Sequence, residues 1–95
     1  MVTFTPTEMM AKVAEDASFH QIGLKVSGRV VPGSYSQGGD DFEHHFMVMD
    51  LEDEAVRFPV IFRDVLPDTF KDDVEVVLEG RYRDDGVFEA ATVLT

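Results

Sequence analysis

The sequence predicts an all-β domain: a short N-terminal helix followed by five short antiparallel strands coiled into one small barrel. Three observations point there. Apolar residues alternate with polar ones at a period of two in successive stretches after Ser18. Turn-forming clusters separate those stretches, at Pro32-Gly33-Ser34, Asp50 to Glu54 and Asp84-Asp85-Gly86. A chain of 95 residues, 44% hydrophobic and 28% charged, suits one compact domain rather than a disordered chain.

The helix opens at Thr5-Pro6-Thr7-Glu8. Thr5 caps it, Pro6 fits its first position, and Glu8 at N3 completes a capping box. Met9, Met10 and Val13 form an apolar stripe, and the helix is expected from Pro6 to about Asp16. Residues 1–18 are thus read as an N-terminal helical segment and residues 19–95 as the barrel.

In the first strand Ile22, Leu24, Val26, Gly28 and Val30 face inward. The polar, Gly-rich stretch from Tyr35 to Asp41 reads as a mobile hairpin loop. The second strand sets Phe42, His44, Phe46 and Val48 on one face and His45, Met47 and Met49 on the other, where Met47 and Met49 would make an exposed apolar strip. The third points Val56, Phe58, Val60 and Phe62 inward; Pro59 within it has no N–H to donate, so this stretch lies at an edge or beside a gap. Leu66-Pro67-Asp68-Thr69-Phe70 reads as a helical turn between strands three and four, with Leu66 and Phe70 inward. Val74, Val76, Leu78, Gly80 and Tyr82 alternate in the fourth strand. Gly86 supplies the positive φ of a tight hairpin, and Val87 to Thr95 is the fifth strand. A glycine inside a strand, Gly28, favours a coiled sheet, and the order fits a five-stranded antiparallel Greek-key OB-fold barrel. Strand-like sequence runs to Thr95 with no polar tail, so the natural protein is expected to continue.

Charge narrows the function. Eight Lys plus Arg against nineteen Asp plus Glu leave −11, a surface that repels phosphates and anionic lipid. Without cysteine there is no disulfide framework, thiolate metal site or thiol nucleophile. No run approaches the ~20 apolar residues that span a bilayer, and the N-terminus lacks a secretory signal's basic flank. His44 and His45 are strand neighbours on opposite faces and cannot chelate one metal together; His20 lies elsewhere. The acidic clusters sit in turns without EF-hand spacing, and Gly33, Gly38 and Gly39 have no following lysine to make a phosphate loop. No catalytic or metal-ligating residue is assigned. The residues describe a binding or carrier module, not an enzyme. An OB module for a protein or oligonucleotide is the alternative, with a hydrolase or metal-dependent enzyme built on His44, His45 and the acidic turns behind it.

Val26-Ser27-Gly28-Arg29-Val30-Val31-Pro32-Gly33-Ser34 resembles the first-strand signature of the haem chaperones of cytochrome c maturation, the CcmE family. Leu66-Pro67-Asp68-Thr69-Phe70 is similar to that family's leucine-proline-aspartate-x-phenylalanine element, and Phe46-Met47-Val48-Met49-Asp50 to its phenylalanine-x-valine-x-aspartate strand. Val77-Leu78-Glu79-Gly80-Arg81, Asp85 to Ala90 and Val93-Leu94 resemble its closing strands, and Thr5-Pro6-Thr7-Glu8 the segment after its membrane anchor. The resemblance runs from about residue 4 to 95. It implies an OB barrel on the periplasmic side of the bacterial inner membrane, tethered by an N-terminal anchor ahead of residues 1–18. It implies a carrier that receives haem from a membrane delivery complex and passes it, through a haem lyase, to apocytochrome c. In the family a histidine, or in some lineages a cysteine, in a tail after the last strand bonds a haem vinyl group, and a nearby tyrosine ligates the iron. Those residues would lie beyond Thr95, and His20, His44 and His45 do not match them. The barrel would then act as a monomer offering an apolar platform near the chain end, with Tyr82, Phe88, Val93 and Leu94 as its candidates.

Overall fold

The computed structural model describes residues 2–95. Its elements are β1 (Thr3–Phe4), α1 (Pro6–Glu15), a 3-10 turn (Ala17–Gln21), β2 (Leu24–Val30), β3 (Ser36–Gln37), β4 (Glu43–Met49), β5 (Arg57–Arg63), β6 (Glu75–Tyr82) and β7 (Phe88–Leu94).

Both halves of the capping box form. Thr5 Oγ1 accepts from the Glu8 N–H at 3.1 Å, and Glu8 Oε1 accepts from the Thr5 N–H at 2.8 Å. The helix stops at Glu15 because Asp16 is extended and its carboxylate takes the Ser18 N–H, starting the 3-10 turn. Met9 is fully buried against the barrel.

The main strands close in the ring β2-β6-β7-β5-β4 and back to β2. A ring with an odd number of strands cannot alternate direction all the way round, so one pairing must be parallel. It falls between β5 and β7, at Val60–Phe62 against Phe88–Ala90, where a wholly antiparallel sheet was expected. β1 also joins β2 in parallel, and β3 folds back on His44 and His45 within the stretch read as loop.

Closure depends on β2 changing partners. It pairs with β6 from Leu24 to Arg29, then meets β4 only through Arg29↔Met49 and Val30↔Val48. At Gly28, a Cβ would stand 2.5 Å from Val48 Cγ1 and 2.8 Å from the Met49 carbonyl oxygen, so only glycine lets the strands approach. Gly80 sits at the β6–β7 register shift, where a Cβ would collide with the Glu89 carbonyl.

Leu24, Val26 and Val30 fill the barrel with Phe46, Val48, Phe58, Val60, Phe62, Val76 and Leu78, as the alternation expects. Ile22 and Phe42, expected inward, are exposed: each lies outside its strand's ladder, where the pleat no longer dictates its direction. Met49, expected in an exposed strip, is only 5% exposed. Arg29 and Arg57 stand directly across from it on the two neighbouring strands and flank it. Met47 is half-buried. Pro59 pairs with Met47 on one side and lies just before the short β5–β7 ladder on the other, beside a gap in the wall.

The segment Leu66–Phe70 is a β-turn rather than a helical turn. Its one bond runs from the Phe70 N–H to the Pro67 carbonyl at 3.0 Å. Pro67 biases Leu66 towards extended backbone, which prevents a helical start there. Leu66 and Phe70 still pack against the core.

Candidate functional site

The two ends of β4 carry the two buried polar side chains among the described residues, His44 and Asp50. Asp50 accepts from the Thr7 N–H and hydroxyl, at 3.1 and 2.8 Å, and from the Glu52 N–H at 2.9 Å, pinning α1 to the barrel. Burial alone pushes its carboxyl upward, but the Glu52, Thr7 and Asp53 donors outweigh it and hold the group below its ordinary value.

His44 points inward at the other end, and Tyr35 Oη lies 2.8 Å from its Nδ1. Tyr35 meets Phe70 edge-on with centroids 6.0 Å apart, and Phe70 meets Phe46 at 4.9 Å. Local bonds set this arrangement. Ser34 Oγ donates to the Val31 carbonyl and accepts from the Met47 N–H, which fixes the chain just before Tyr35. The Gly33 N–H donates to Asp72 Oδ1 at 3.1 Å, and Arg29 donates to the Asp73 carbonyl at 3.0 Å, tying the loop and strand to the segment after Phe70.

Between them opens a cleft of ≈ 340 Å³ lined by Tyr35, Leu66, Phe70, Lys71 and Asp72. Thr95 hydrogen-bonds Thr69 through their hydroxyls, so the last residue lies against the turn that forms the cleft wall. Two other recesses differ in chemistry. One, ≈ 570 Å³, is walled by Glu8, Asp50, Glu52 and Asp53 and would repel anions. The other, ≈ 260 Å³, lies on the outer wall beside Pro59 with Met47, Ile61 and Val87, and its Arg83 is engaged by Asp85 and Glu89.

Of the four residues expected to form a platform, Tyr82, Phe88 and Val93 lie in the core at 8%, 0% and 4% exposure, while Leu94 is half exposed. The structure brings together instead Tyr35, Leu66 and Phe70. Tyr35 was legible only as a large aromatic in an otherwise polar loop. The three histidines occupy separate places: His20 Nδ1 lies 2.8 Å from the Tyr82 carbonyl, His44 is inside, and His45 Nε2 lies 3.0 Å from Glu43 Oε2 on the outer face.

A model of the CcmE domain family matches residues 1–95. The chain belongs to the CcmE family. It is 36% identical over 90 residues to the cytochrome c-type biogenesis protein CcmE of Halorhodospira halophila, covering 95% of this chain and 56% of that protein. The corresponding protein of Nitrosomonas europaea is 36% identical over 91 residues, covering 96% and 56%. The chain thus spans about half the length of these relatives. The solution NMR structure of the OB-fold domain of the heme chaperone CcmE from Desulfovibrio vulgaris matches with a TM-score of 0.69 and 26% identity, covering 77% of this chain and 84% of that one. This CcmE barrel therefore has the OB fold expected from its sequence, with a parallel closing pair.

Proposed function

We propose that the chain is the barrel domain of a haem chaperone in cytochrome c maturation, a carrier rather than an enzyme. The observation that supports it is an aromatic cleft placed where the chain ends, in a barrel of the CcmE family. Haem is a flat apolar plate with two carboxylates on one edge. Tyr35, Leu66 and Phe70 offer it apolar contact, and Lys71 stands at the cleft wall to meet a propionate. Exposed Leu94, one residue before Thr95, remains a candidate for further apolar contact, whereas Tyr82, Phe88 and Val93 are core residues. A cleft of ≈ 340 Å³ is at the small end for ligand sites, so it covers part of the plate and leaves the rest open to the next protein.

The remaining parts of this reading come from the family resemblance. A histidine or cysteine in a tail following Thr95 bonds the vinyl group, and an anchor ahead of the N-terminal segment holds the monomeric barrel on the periplasmic side of the inner membrane. Its partners are a membrane haem-delivery complex, a haem lyase and apocytochrome c. The net charge of −11 argues against nucleic acid as a ligand.

The test co-expresses the parent protein, with its natural C-terminal sequence, and this 95-residue form with a haem-delivery system. Intact mass after denaturation is expected to show haem on the longer protein only. No added mass on either, with a known chaperone loaded in parallel, overturns the covalent-carrier reading.

A further inference from the structure

Two large apolar side chains stand outside the barrel where the β4–β5 ladder ends: Phe42 is 58% exposed and Val65 67% exposed. Glu43↔Arg63 is the last rung of that ladder. Phe42 comes just before it and Val65 two residues past Arg63, so both leave the sheet at the same end. The exposure of Phe42 is imposed by its hairpin. Asp40 Oδ1 accepts from the Phe42 N–H at 2.9 Å, and the Gly38 N–H donates to the Glu43 carbonyl at 2.7 Å. The Gly39 N–H donates to Glu43 Oε2 at 3.1 Å. On the neighbouring strand Asp64 Oδ1 accepts from the Val65 N–H at 2.7 Å. Turns tied this closely hold a phenyl ring and a valine in water, and apolar surface rimmed by polar groups marks a place that another molecule covers.

Charge selects the occupant. Residues 40–43 and 63–66 hold four carboxylates, Asp40, Asp41, Glu43 and Asp64, against one cation, Arg63. Arg63 lies 3.3 Å from Glu43, which His45 also meets at 3.0 Å. Asp40, Asp41 and Asp64 are exposed and have no ion-pair partner among the described residues. We propose that Phe42 and Val65 form a docking surface for a polypeptide partner that presents an apolar side chain between lysines or arginines. Phe42 is the anchor of this surface, and the three unpaired carboxylates meet the flanking cations. The same carboxylates repel an anionic lipid surface, and they repel a second copy of a chain that carries −11. Leu66, which lines the cleft, directly follows Val65, so a partner docked here stands beside the cleft. The docking surface does not depend on what the cleft itself binds.

The experiment follows amide NMR spectra of the 95-residue chain, without haem, as a synthetic peptide is added. The peptide has a leucine–tryptophan centre flanked on each side by two lysines, and a control carries glutamates in place of the lysines. Phe42→Ser and Val65→Ser are titrated alongside; both side chains are exposed, and circular dichroism melting confirms that the variants remain folded. The lysine peptide is expected to shift the amides of residues 39–43 and 63–66, and to bind several-fold more weakly as salt rises and screens the charges. Phe42→Ser is expected to weaken it about tenfold, and Val65→Ser less. Equal binding of the glutamate peptide overturns the charge selection, and unchanged affinity in Phe42→Ser overturns the anchor. No binding of the lysine peptide overturns the proposal. Cosedimentation with phosphatidylcholine vesicles that Phe42→Ser abolishes then assigns the surface to a membrane, and a dimer that Phe42→Ser dissociates assigns it to a second copy.

Discussion

The two ends of β4 solve the same problem in opposite ways. Each buries a polar side chain in a barrel otherwise filled with Val, Leu and Phe. Asp50 is surrounded by donors and closed over by a capped helix whose Met9 is sealed in the core. His44 is left with one side-chain partner, and that partner is exposed. The Asp50 end is built for stability, since every acceptor it buries is answered. The His44 end keeps a half-exposed aromatic surface and an adaptable bond, which is what a ligand needs and a core does not.

The largest test of this contrast is truncation at each end. Met9→Ala is expected to cost ~2–5 kcal/mol in urea unfolding, without altering haemin affinity in proportion. Phe70→Ala, only partly buried, should cost about 1–2 kcal/mol yet weaken haemin binding several-fold. Equal effects on binding would erase the division of labour. Next, Asp50→Ala should lower stability by ~1–3 kcal/mol, because the Thr7 and Glu52 donors lose a buried acceptor.

The smallest effect lies in the ties around the cleft end and is read by pH. Glu43 is held down to about 2, first by the His45 side chain, then by the Gly39 N–H, with Arg63 adding to them. Its folded value is depressed, so its contribution is present above the ordinary 4.5 and is lost as pH falls through about 2. The Gly38 and Gly39 amide resonances should shift across that window, and Glu43→Gln should abolish the shift. Resonances that follow pH equally in Glu43→Gln would assign the change to another group.

Most local chemistry was legible in the sequence, the exception being Leu66–Phe70, a β-turn where a helical turn was expected. The capping box at Thr5 and Glu8, the alternation from Leu24 to Val30 and the Gly86 hairpin each depend on neighbours a few residues away, and each formed as expected. What escaped depends on closure. The parallel β5–β7 pair, the burial of Met49 between two arginines and the exposure of Ile22 and Phe42 are set by partners distant in the chain. The site was harder still, because Tyr35 and His44 fall nine residues apart across a turn whose register no local pattern fixes. Alternation placed Tyr82, Phe88 and Val93 along strands without saying which face of a closed wall they would occupy.

On the proposed carrier reading, the bond between Thr95 and Thr69 sets how far a cargo held past the last strand must travel. An extended chain covers ~3.3–3.6 Å per residue, so a cargo fixed a few residues past Thr95 folds back into the cleft without leaving the barrel. Tethering at that range gives an effective local concentration on the order of millimolar. A site with only weak intrinsic affinity is then well occupied while the tether lasts, and empties as soon as the cargo is cut from it. For the carrier proposed above, a shallow cleft beside Thr95 makes release as easy as retention.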